Sequence, residues 1–501
     1  MTAHDLWVLS PVMAMAGVAI FMICADLVVN NKRLLAYMGF AALAVPLFFS
    51  LNLWFGWVGD FSAGPALFDS IIADRFALFF HFLLIGVTGG VILASIRYVD
   101  QLPEFRGEFF ALVLLSVTGM MLLVSARELI SIYVSLELTA LPVAALAAIK
   151  RDGRSVEAGL KFLVLSAVST AVMLYGIAFI YGYTGSTHLE TILARLAEIP
   201  AADGQPFGSY AVLFAIVMII AGFGFKMAAV PWQMWVPDVY QGSPTPVAAF
   251  LSVASKASAF AVLLRVMYTA FGADSLTQDW SSLFAILAAL SMLVGSLLAL
   301  AQTNVKRLLG YSTIAQGGYI LAGVAAVAAN TETGAQGAGP QGVMYYLAGY
   351  AFTNLAVFFA IIAISNRTGS EMISGLNGMG RRSPVLAVLL TVGILSLLGV
   401  PPTVGFMSKV VVFSAAVNSG LLWLAVLGML TTVVSAYYYL KIVRAMFFED
   451  AEDDSPVRAD PPLLFATGVA AAGVAVFGVA PWLILHLAEK ALTILPSAAG
   501  A

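Results

Sequence analysis

Lys226 is a charged residue in an apolar segment, residues 214–235, that is long enough to cross a lipid bilayer. Pro231 interrupts the same segment five residues later. A lysine near the centre of a membrane helix costs about 2.5–3.5 kcal/mol. The proline removes a backbone donor and frees the carbonyl of Met227. A buried charge beside a helix break is typical of an ion or proton site, and we interpret Lys226 in that way.

Four more charged residues lie in apolar segments and could take part in the same chemistry. Glu137 and Lys256 are each near the middle of a candidate span, and Lys409 follows a second helix break. Lys161 begins a span and could instead reach back to the interface. Together with Lys226, these residues are expected to titrate as a coupled set and to pass protons. A static ion pair between Glu137 and Lys161 is the alternative for those two side chains. Charged residues nearer to span ends are interpreted as interfacial anchors (Arg265, Lys441) or as structural groups (Asp26, His81).

Two membrane segments are broken by proline, the seventh at Pro231 and the twelfth at Pro401 and Pro402. In the second break the carbonyls of Leu397 and Leu398 lose their helical partners. Each break is fourth in a block of five segments, four to eight and nine to thirteen. Because five is odd, the second block enters the membrane upside down relative to the first. Such paired breaks indicate a transporter-like site and predict two inverted five-helix repeats.

The composition places these segments in a membrane protein. The chain has 501 residues, of which 61% are hydrophobic and only 10% charged, whereas a soluble domain carries roughly 25% charged residues. We predict an all-α polytopic fold with four parts: three N-terminal helices (1–100), two repeats (101–275 and 276–450) and a last helix (451–501). Apolar runs of about 20 residues predict fourteen transmembrane helices at 7–29, 34–55, 74–96, 108–125, 128–148, 157–182, 210–235, 244–271, 280–301, 308–328, 342–365, 384–415, 421–446 and 463–487.

The basic residues in the connecting loops predict the orientation. Alternate loops hold fourteen lysines and arginines on one side and four on the other. The richer side is expected to be cytoplasmic, so both termini face away from the cytoplasm. On the poorer side, residues 187–190 have the sequence of a capping box and predict a short amphipathic lid helix. The richer set is Lys32, Arg33, Arg97, Arg106, Lys150, Arg151, Arg154, Lys306, Arg307, Arg367, Arg381, Arg382, Arg444 and Arg458; the poorer set is Arg75, Arg127, Arg195 and Lys490.

Few residues could hold a cofactor. Cys24 is the only cysteine, which excludes an internal disulfide and a cysteine-ligated iron–sulfur cluster. The four histidines are scattered, so we predict no metal site. No glycine pattern for a nucleotide follows a strand, and no basic run suggests nucleic acid. Electron carriers are therefore not expected on this chain.

Three stretches resemble a known family: residues 225–247 (FKMAAVPWQMWVPDVYQGSPTPV), 305–315 (VKRLLGYSTIA) and 399–409 (GVPPTVGFMSK). They are similar to the antiporter-like subunit N family of the proton-pumping NADH:quinone oxidoreductase (respiratory complex I), the bacterial counterpart of mitochondrial NADH dehydrogenase subunit 2. The resemblance covers roughly residues 100–450.

This resemblance implies a role for each buried charge. It implies that Glu137 and Lys161 form a charge pair that biases Lys226. Lys226 and Lys256 then pass a proton along a central polar axis to Lys409, which releases it outward. NADH, flavin (FMN), iron–sulfur clusters and quinone are implied on partner subunits, both membrane and peripheral. The implied location is the lipid bilayer of the bacterial cytoplasmic (inner) membrane.

The chain departs from the family pattern at two positions. Family members usually carry histidine where this chain has Gln233 and Gln316. An amide cannot bind and release a proton near neutral pH as imidazole can. A relay through either position would need water or a hydroxyl such as that of Tyr311 or Tyr319.

Two other functions remain as alternatives. A subunit of a multi-subunit Na⁺/H⁺ antiporter would share the fold and the buried lysines. A passive membrane scaffold would anchor partners or quinone and move nothing, but it would need no desolvated lysines.

Overall fold

In a computed structural model, the chain is described over residues 2–57, 64–102, 105–198, 210–327, 337–451, 453, 455–492 and 494. The described residues are almost entirely helical and contain isolated β-bridges but no strand. The α-helices are α1 (Ala3–Val8), α2 (Ser10–Val28), α3 (Lys32–Ala42), α4 (Ala44–Phe55), α5 (Arg75–Ser95), α6 (Arg106–Ser125), α7 (Leu129–Ala148), α8 (Gly153–Thr184), α9 (Leu189–Ala197), α10 (Tyr210–Met227), α11 (Trp235–Gly242), α12 (Thr245–Phe250), α13 (Lys256–Thr269), α14 (Asp274–Leu300), α15 (Val305–Ala325), α16 (Ala338–Thr368), α17 (Met379–Arg382), α18 (Pro384–Leu398), α19 (Val404–Asn418), α20 (Leu422–Phe448), α21 (Pro461–Val479) and α22 (Trp482–Ala491).

The fourteen predicted spans all fall on these helices, and the predicted membrane fold is confirmed. Twelve spans of the described chain are long and apolar enough to cross a bilayer. The shorter apolar helices α18 and α19 together form the broken span. The remaining span is α15, which has polar residues along one side and is buried along nearly its whole length. A membrane helix can carry polar groups when it faces protein on all sides instead of lipid.

Two blocks of five spans correspond element by element. The first consists of α6, α7, α8, α10 and α12–α13; the second consists of α14, α15, α16, α18–α19 and α20. The third member of each is the longest, with 32 residues in α8 and 31 in α16. The fourth member of each is broken: α10 stops at Met227 and α18 at Leu398. The next residues, Ala228 and Gly399, have the left-handed φ angles of +62° and +92°, so the chain leaves the helix axis before its proline.

The loops separate into two faces as the alternation of basic residues predicts. We call the side with most of the basic residues the basic face; its loops and the adjoining helix ends carry Arg33, Arg97, Arg307, Arg367 and Arg382. Loops of this face contact one another, as in the 2.5 Å ion pair between Arg97 and Asp460. On the opposite face, a β-bridge joins Glu128 to His188. The two sets of loops therefore lie at opposite ends of the helix bundle.

The predicted lid helix is present on the opposite face as α9. Its own residues Leu189, Ile192 and Leu196 are buried. The capping box was a wrong prediction. The N-cap is His188, and it makes no side-chain capping bond. The reason is that Glu190 pairs with Arg127 instead of turning back to cap its own helix.

Candidate functional site

Lys226 lies at the C-terminal end of α10, one residue before the helix stops. Its side chain is only 4% exposed, and Nζ has no hydrogen-bond partner among the described residues. The ammonium is 5.4 Å from the centre of the Phe162 ring, within reach of a cation–π interaction. Phe162 packs against Phe225 and Trp235, with ring centres 5.6 and 5.1 Å away. Lys226 therefore occupies an aromatic pocket at the negative end of the α10 dipole.

Glu137 and Lys161 are not paired with each other, so that part of the expectation is wrong. Lys161 Nζ lies 2.6 Å from Glu157 Oε1 and 2.8 Å from Asp238 Oδ2. The reason is that Lys161 is close to the basic face with its side chain 40% exposed, and these two carboxylates are within its reach. Glu137 is half-buried on α7 and interacts electrostatically with Lys226. Lys161 therefore lies at the edge of the candidate site, and the role of Glu137 stays a prediction.

Asp238 on α11 connects Lys161 to Arg307. Arg307 Nη1 donates to Asp238 Oδ1 at 2.6 Å and to Gln241 Oε1 at 3.2 Å. Partial burial raises the pKa of the Asp238 carboxyl, but hydrogen bonds from Lys161 and Arg307 lower it further, so its pKa lies below the usual value. A polar cavity of about 220 Å³ opens beside this network, lined by Arg154, Glu157, Ala158, Asp238, Gln241 and Gly242. The basic face therefore has a charged opening next to the first break.

Lys256 is the first residue of α13 and follows a π-helical turn over residues 251–255. Such turns are frequent at functional sites. The side chain is 2% exposed, and Nζ donates to the carbonyl of Thr313 at 2.5 Å. A Cβ placed on Gly317 would lie 3.1 Å from Lys256 Nζ and 3.3 Å from the carbonyl oxygen of Met227. The second lysine and the last carbonyl of α10 therefore face the same glycine.

Lys409 lies in α19 and folds back over the second break. Its Nζ donates to the carbonyls of Leu397 and Leu398, at 3.3 and 2.8 Å, and to Thr432 Oγ1 at 3.2 Å. These are the two carbonyls that the prolines were predicted to leave without helical partners. The ammonium also lies 4.7 Å from the centre of the Tyr319 ring. Lys409 therefore has all three of its donors occupied and caps the C-terminus of α18.

A polar stripe on α15 lies between Lys256 and Lys409. Gln316 Nε2 donates to the carbonyl of Leu397 at 3.0 Å, the same oxygen that Lys409 contacts. Gln316 Oε1 accepts from the Tyr346 hydroxyl, and its Nε2 lies 3.3 Å from the Tyr439 hydroxyl. The other hydroxyl contacts along the stripe are Ser312 with Tyr439, Thr313 with Tyr350, and Tyr319 with Thr431 and Thr432. We call these groups, with Lys226, Lys256 and Lys409, the polar axis.

Some predicted relay residues lie away from the polar axis. Tyr311 is half-buried, and its ring lies beneath the Arg307 guanidinium at 6.0 Å. Gln233 lies two residues after the exposed Pro231, and its buried Oε1 makes no hydrogen bond to the polar axis or to any other described residue. Tyr319 is on the axis as predicted. Sequence reasoning missed Tyr346, Tyr350, Tyr439 and Thr432, because a tyrosine or threonine in an apolar span carries no signal of its own.

The expectation for Arg265 was also wrong. It was expected to anchor at an interface, but it is 4% exposed and forms a two-bond ion pair with Asp74, at 3.1 and 2.8 Å. The reason is that Asp74 caps the N-terminus of α5 and points into the bundle. The pair joins the N-terminal helices to the first block. The nearby His81 is buried against Met121 and Ser125, as a structural histidine should be.

Lys306 was expected to be an ordinary loop charge, but it is fully buried. Its Nζ donates to the carbonyl of Ser243 and to Glu371 Oε1, both at 2.8 Å. The contact connects the start of α15 to the segment before α12 and the segment after α16. In contrast, no group of three or more histidines, cysteines or carboxylates suited to a metal occurs in the part of the chain that the structure describes.

The chemistry available to the polar axis is proton exchange. Ammonium groups release and accept protons, and hydroxyl groups can donate and accept at once. Three lysines lie on this axis at or beside helix irregularities, in surroundings from which water-exposed surface is nearly absent.

Comparison with known proteins gives a consistent result. Residues 126–435 match a protein-family model described as NADH:quinone oxidoreductase/Mrp antiporter, TM. The NADH-quinone oxidoreductase subunit N of Dehalococcoides mccartyi is 40% identical over 480 residues, which are 95% of this chain and 97% of that protein.

Solved structures of complex I chains and of an Mrp complex chain share the fold. A chain of respiratory complex I from Thermus thermophilus with bound aureothin is 32% identical with a TM-score of 0.74, covering 95% of this chain and 98% of its own. A chain of the Mrp complex from Dietzia sp. DQ12-45-1b is 21% identical with a TM-score of 0.82, covering 98% and 97%. Since the more distant sequence has the higher TM-score, the fold alone does not separate complex I chains from Mrp chains.

Proposed function

The chain belongs to the family of NADH:quinone oxidoreductase and Mrp antiporter membrane subunits, within its NADH-quinone oxidoreductase subunit N group, and from this premise we propose that its polar axis moves protons across the membrane. The protein is a membrane-arm, antiporter-like subunit of the proton-pumping NADH:quinone oxidoreductase. It is a multi-pass membrane protein of a bacterial respiratory complex, and other subunits of that complex are its partners.

The observation that carries the proposal is the row of polar groups on α15 that lies between Lys256 and Lys409. Lys409 and Gln316 share the carbonyl of Leu397, and Gln316 in turn holds the Tyr439 hydroxyl. A static structural role would need neither three buried lysines nor the hydroxyl groups between them. Helix ends, breaks and glycines bring these groups together.

In the proposed sequence of events, a proton enters from the basic face through the polar cavity beside Asp238 and reaches Lys226. The charge of Glu137 decides whether Lys226 holds it. Release of the proton sends it past the Met227 carbonyl and Gly317 to Lys256. The hydroxyl groups of the polar axis then carry it to Lys409, with Gln316 orienting them instead of titrating. Lys409 releases the proton on the opposite face.

The proposal has consequences for orientation and for partners. The basic face is cytoplasmic in the bacterial inner membrane, so both termini lie on the non-cytoplasmic side. NADH, FMN, the iron–sulfur clusters and quinone are bound by other subunits, and this chain carries no redox centre. The two five-helix blocks, within 101–275 and 276–450, act as the two halves of one translocase. The chain binds no nucleic acid.

The middle lysine gives a direct test in the assembled complex. We expect Lys256→Met to lower NADH-driven proton movement into inverted membrane vesicles by at least about tenfold, because a general acid–base group contributes that much or more. The matched control is Lys441→Met, since Lys441 is partly buried and donates to the carbonyl of Gln302, away from the polar axis. Proton movement is followed by quenching of a pH-sensitive dye, and assembly by native gel electrophoresis.

Undiminished proton movement in assembled Lys256→Met membranes would refute the proposed route. The antiporter alternative has its own readout: sodium-dependent pH changes in vesicles without NADH. Such changes would assign the chain to sodium–proton exchange instead.

A further inference from the structure

An open groove runs between the N-terminal helices α3–α5 and the helices α16 and α21. Its inner compartment has a volume of about 560 Å³, the size of a ligand pocket. All described side chains that line it are apolar or glycine, among them Phe40, Leu47, Phe352, Phe359 and Val469. The inner compartment therefore suits a hydrocarbon chain, since the described residues that line it offer no polar partner.

A second compartment of about 590 Å³ continues the groove to the basic face. Phe40, Leu93 and Phe465 line both compartments, so the two are continuous. The lining of this outer compartment adds Arg33 and Arg97, whose side chains are 53% and 44% exposed. The groove thus has an apolar body and a cationic mouth.

The charged side chains that line the mouth, taken with their ion-pair partners, leave one positive charge in excess. Arg33 pairs with Asp100 at 2.8 Å, and Arg97 pairs with Asp460 at 2.5 Å. Arg367 reaches the same Asp460 oxygen at 3.8 Å. These three arginines face two aspartates, so their combined charge is +1. A guanidinium that shares its carboxylate with a second arginine keeps donors free for another anion.

We propose that this groove holds one anionic phospholipid, with its phosphate at Arg33 and Arg97 and an acyl chain along α4 and α5. Charge complementarity selects this occupant, because the phosphate balances the excess of one positive charge. The basic face is also where the proposed orientation places the cytoplasmic leaflet, whose anionic lipids attract such arginines. The lipid bridges the three N-terminal helices to α16 and α21, and so to the second block.

One glycine that lines the inner compartment is a position at which a large side chain could fill the groove. Gly86 on α5 lines the inner compartment, and a Cβ at that position would meet no atom within 4 Å. Gly86→Phe should therefore fill the groove. Gly17→Phe is the matched control, because Gly17 is also an exposed helical glycine with no atom near its Cβ, but it lies outside the groove.

The test uses the assembled complex in phosphatidylcholine nanodiscs that contain phosphatidylglycerol with a photoreactive acyl chain. After illumination, mass spectrometry locates the cross-linked peptides. We expect labelling of residues 40–47, 82–93 and 465–470 that unlabelled phosphatidylglycerol suppresses and additional phosphatidylcholine does not. Gly86→Phe should remove this labelling, and Gly17→Phe should leave it intact.

The cationic mouth is tested separately, which also covers the case that Gly86→Phe does not assemble. Arg33→Gln should weaken labelling by about fivefold, the worth of one arginine near an anionic lipid. Arg381→Gln is the control, since Arg381 lies on the basic face away from the groove and is 81% exposed. Equal competition by phosphatidylcholine, equal labelling in Gly86→Phe and Gly17→Phe, or equal labelling in Arg33→Gln and Arg381→Gln would each overturn the proposal.

Discussion

The two helix breaks each place a lysine beside an interrupted helix, and they treat that lysine in opposite ways. At the second break, Lys409 donates to two carbonyls and a hydroxyl. At the first, Lys226 has no hydrogen-bond partner among the described residues and packs against the Phe162 ring. Three hydrogen bonds hold the Lys409 ammonium in one position, whereas no hydrogen bond among the described residues holds that of Lys226. We infer that the second break fixes its lysine in place and that the first break leaves its lysine free to take a new partner.

This difference teaches that matching topology does not require matching electrostatics. Both breaks come fourth in their blocks, and both helices end at a left-handed residue. The first break, however, has an acid that acts on its lysine, Glu137, whereas the second uses backbone carbonyls. A carboxylate carries a full negative charge, whereas a backbone carbonyl carries only a partial one. The first break is therefore the one at which a change elsewhere in the complex can shift a proton.

The largest expected effects come from replacing Lys226 or Lys409. The two variants should differ in stability and not in activity. Lys226→Met and Lys409→Met should each lower NADH-driven proton movement by at least about tenfold. Only Lys409→Met should also lower the melting temperature of the complex, because it leaves the partly buried Leu398 carbonyl without its partner, at a cost of ~1–3 kcal/mol. Lys226→Met removes a buried charge that has no hydrogen bond to lose, so stability should be unchanged or higher. Thermal denaturation of both purified variants checks this; equal destabilisation would remove the distinction.

A smaller effect is expected from the acid. Glu137→Gln should slow proton movement by roughly fivefold, equivalent to ~1 kcal/mol, because Lys226 loses the negative charge that acts on it. Glu108→Gln is the matched control on the neighbouring helix α6. Glu108 is exposed and does not line the polar cavity beside Asp238, so the control should change the rate little. Equal rates in both variants would show that Glu137 does not control Lys226.

The smallest effect concerns the backbone at the second break. Gly399 has φ of +92°, and a Cβ there would lie 3.1 Å from Lys409 Cδ. Gly420 has φ of +79° with no atom within 4 Å of its Cβ, so it is a matched control. Gly399→Ala and Gly420→Ala should both lose ~1–2 kcal/mol of stability from the left-handed backbone. Only Gly399→Ala should also reduce proton movement, about twofold, by shifting Lys409. Equal pumping in the two variants would mean that the position of Lys409 is not critical.

The breaks and the buried lysines could be predicted from the sequence, because charge and proline in an apolar run conflict with the bilayer wherever the chain folds. The freed carbonyls of Leu397 and Leu398 followed from the same reasoning, and Lys409 is bound to both. The partners of these groups could not be predicted. Tyr346 and Tyr439 meet Gln316 from two other helices, and nothing local distinguishes them from tyrosines that face lipid.

Ion pairs between segments that are distant in the sequence could not be predicted either. Asp74 and Arg265 are 191 residues apart, and each lies near the end of an apolar run, where a charge is ordinarily interfacial. Lys161 had two possible directions along its helix, and the sequence favours neither. Lys161 pairs with Asp238 because the first break places α11 next to it. That placement depends on the folded bundle.

The most direct test of the account is a structure of the assembled complex at a resolution that shows ordered water around Lys226, Lys256 and Lys409. Water bridging Lys226 to Lys256 beside Gly317, together with an unbroken set of hydrogen-bonded groups from Lys256 to Lys409, is the predicted result. Three lysines in dry pockets with no polar connection in any conformation of the complex would contradict it.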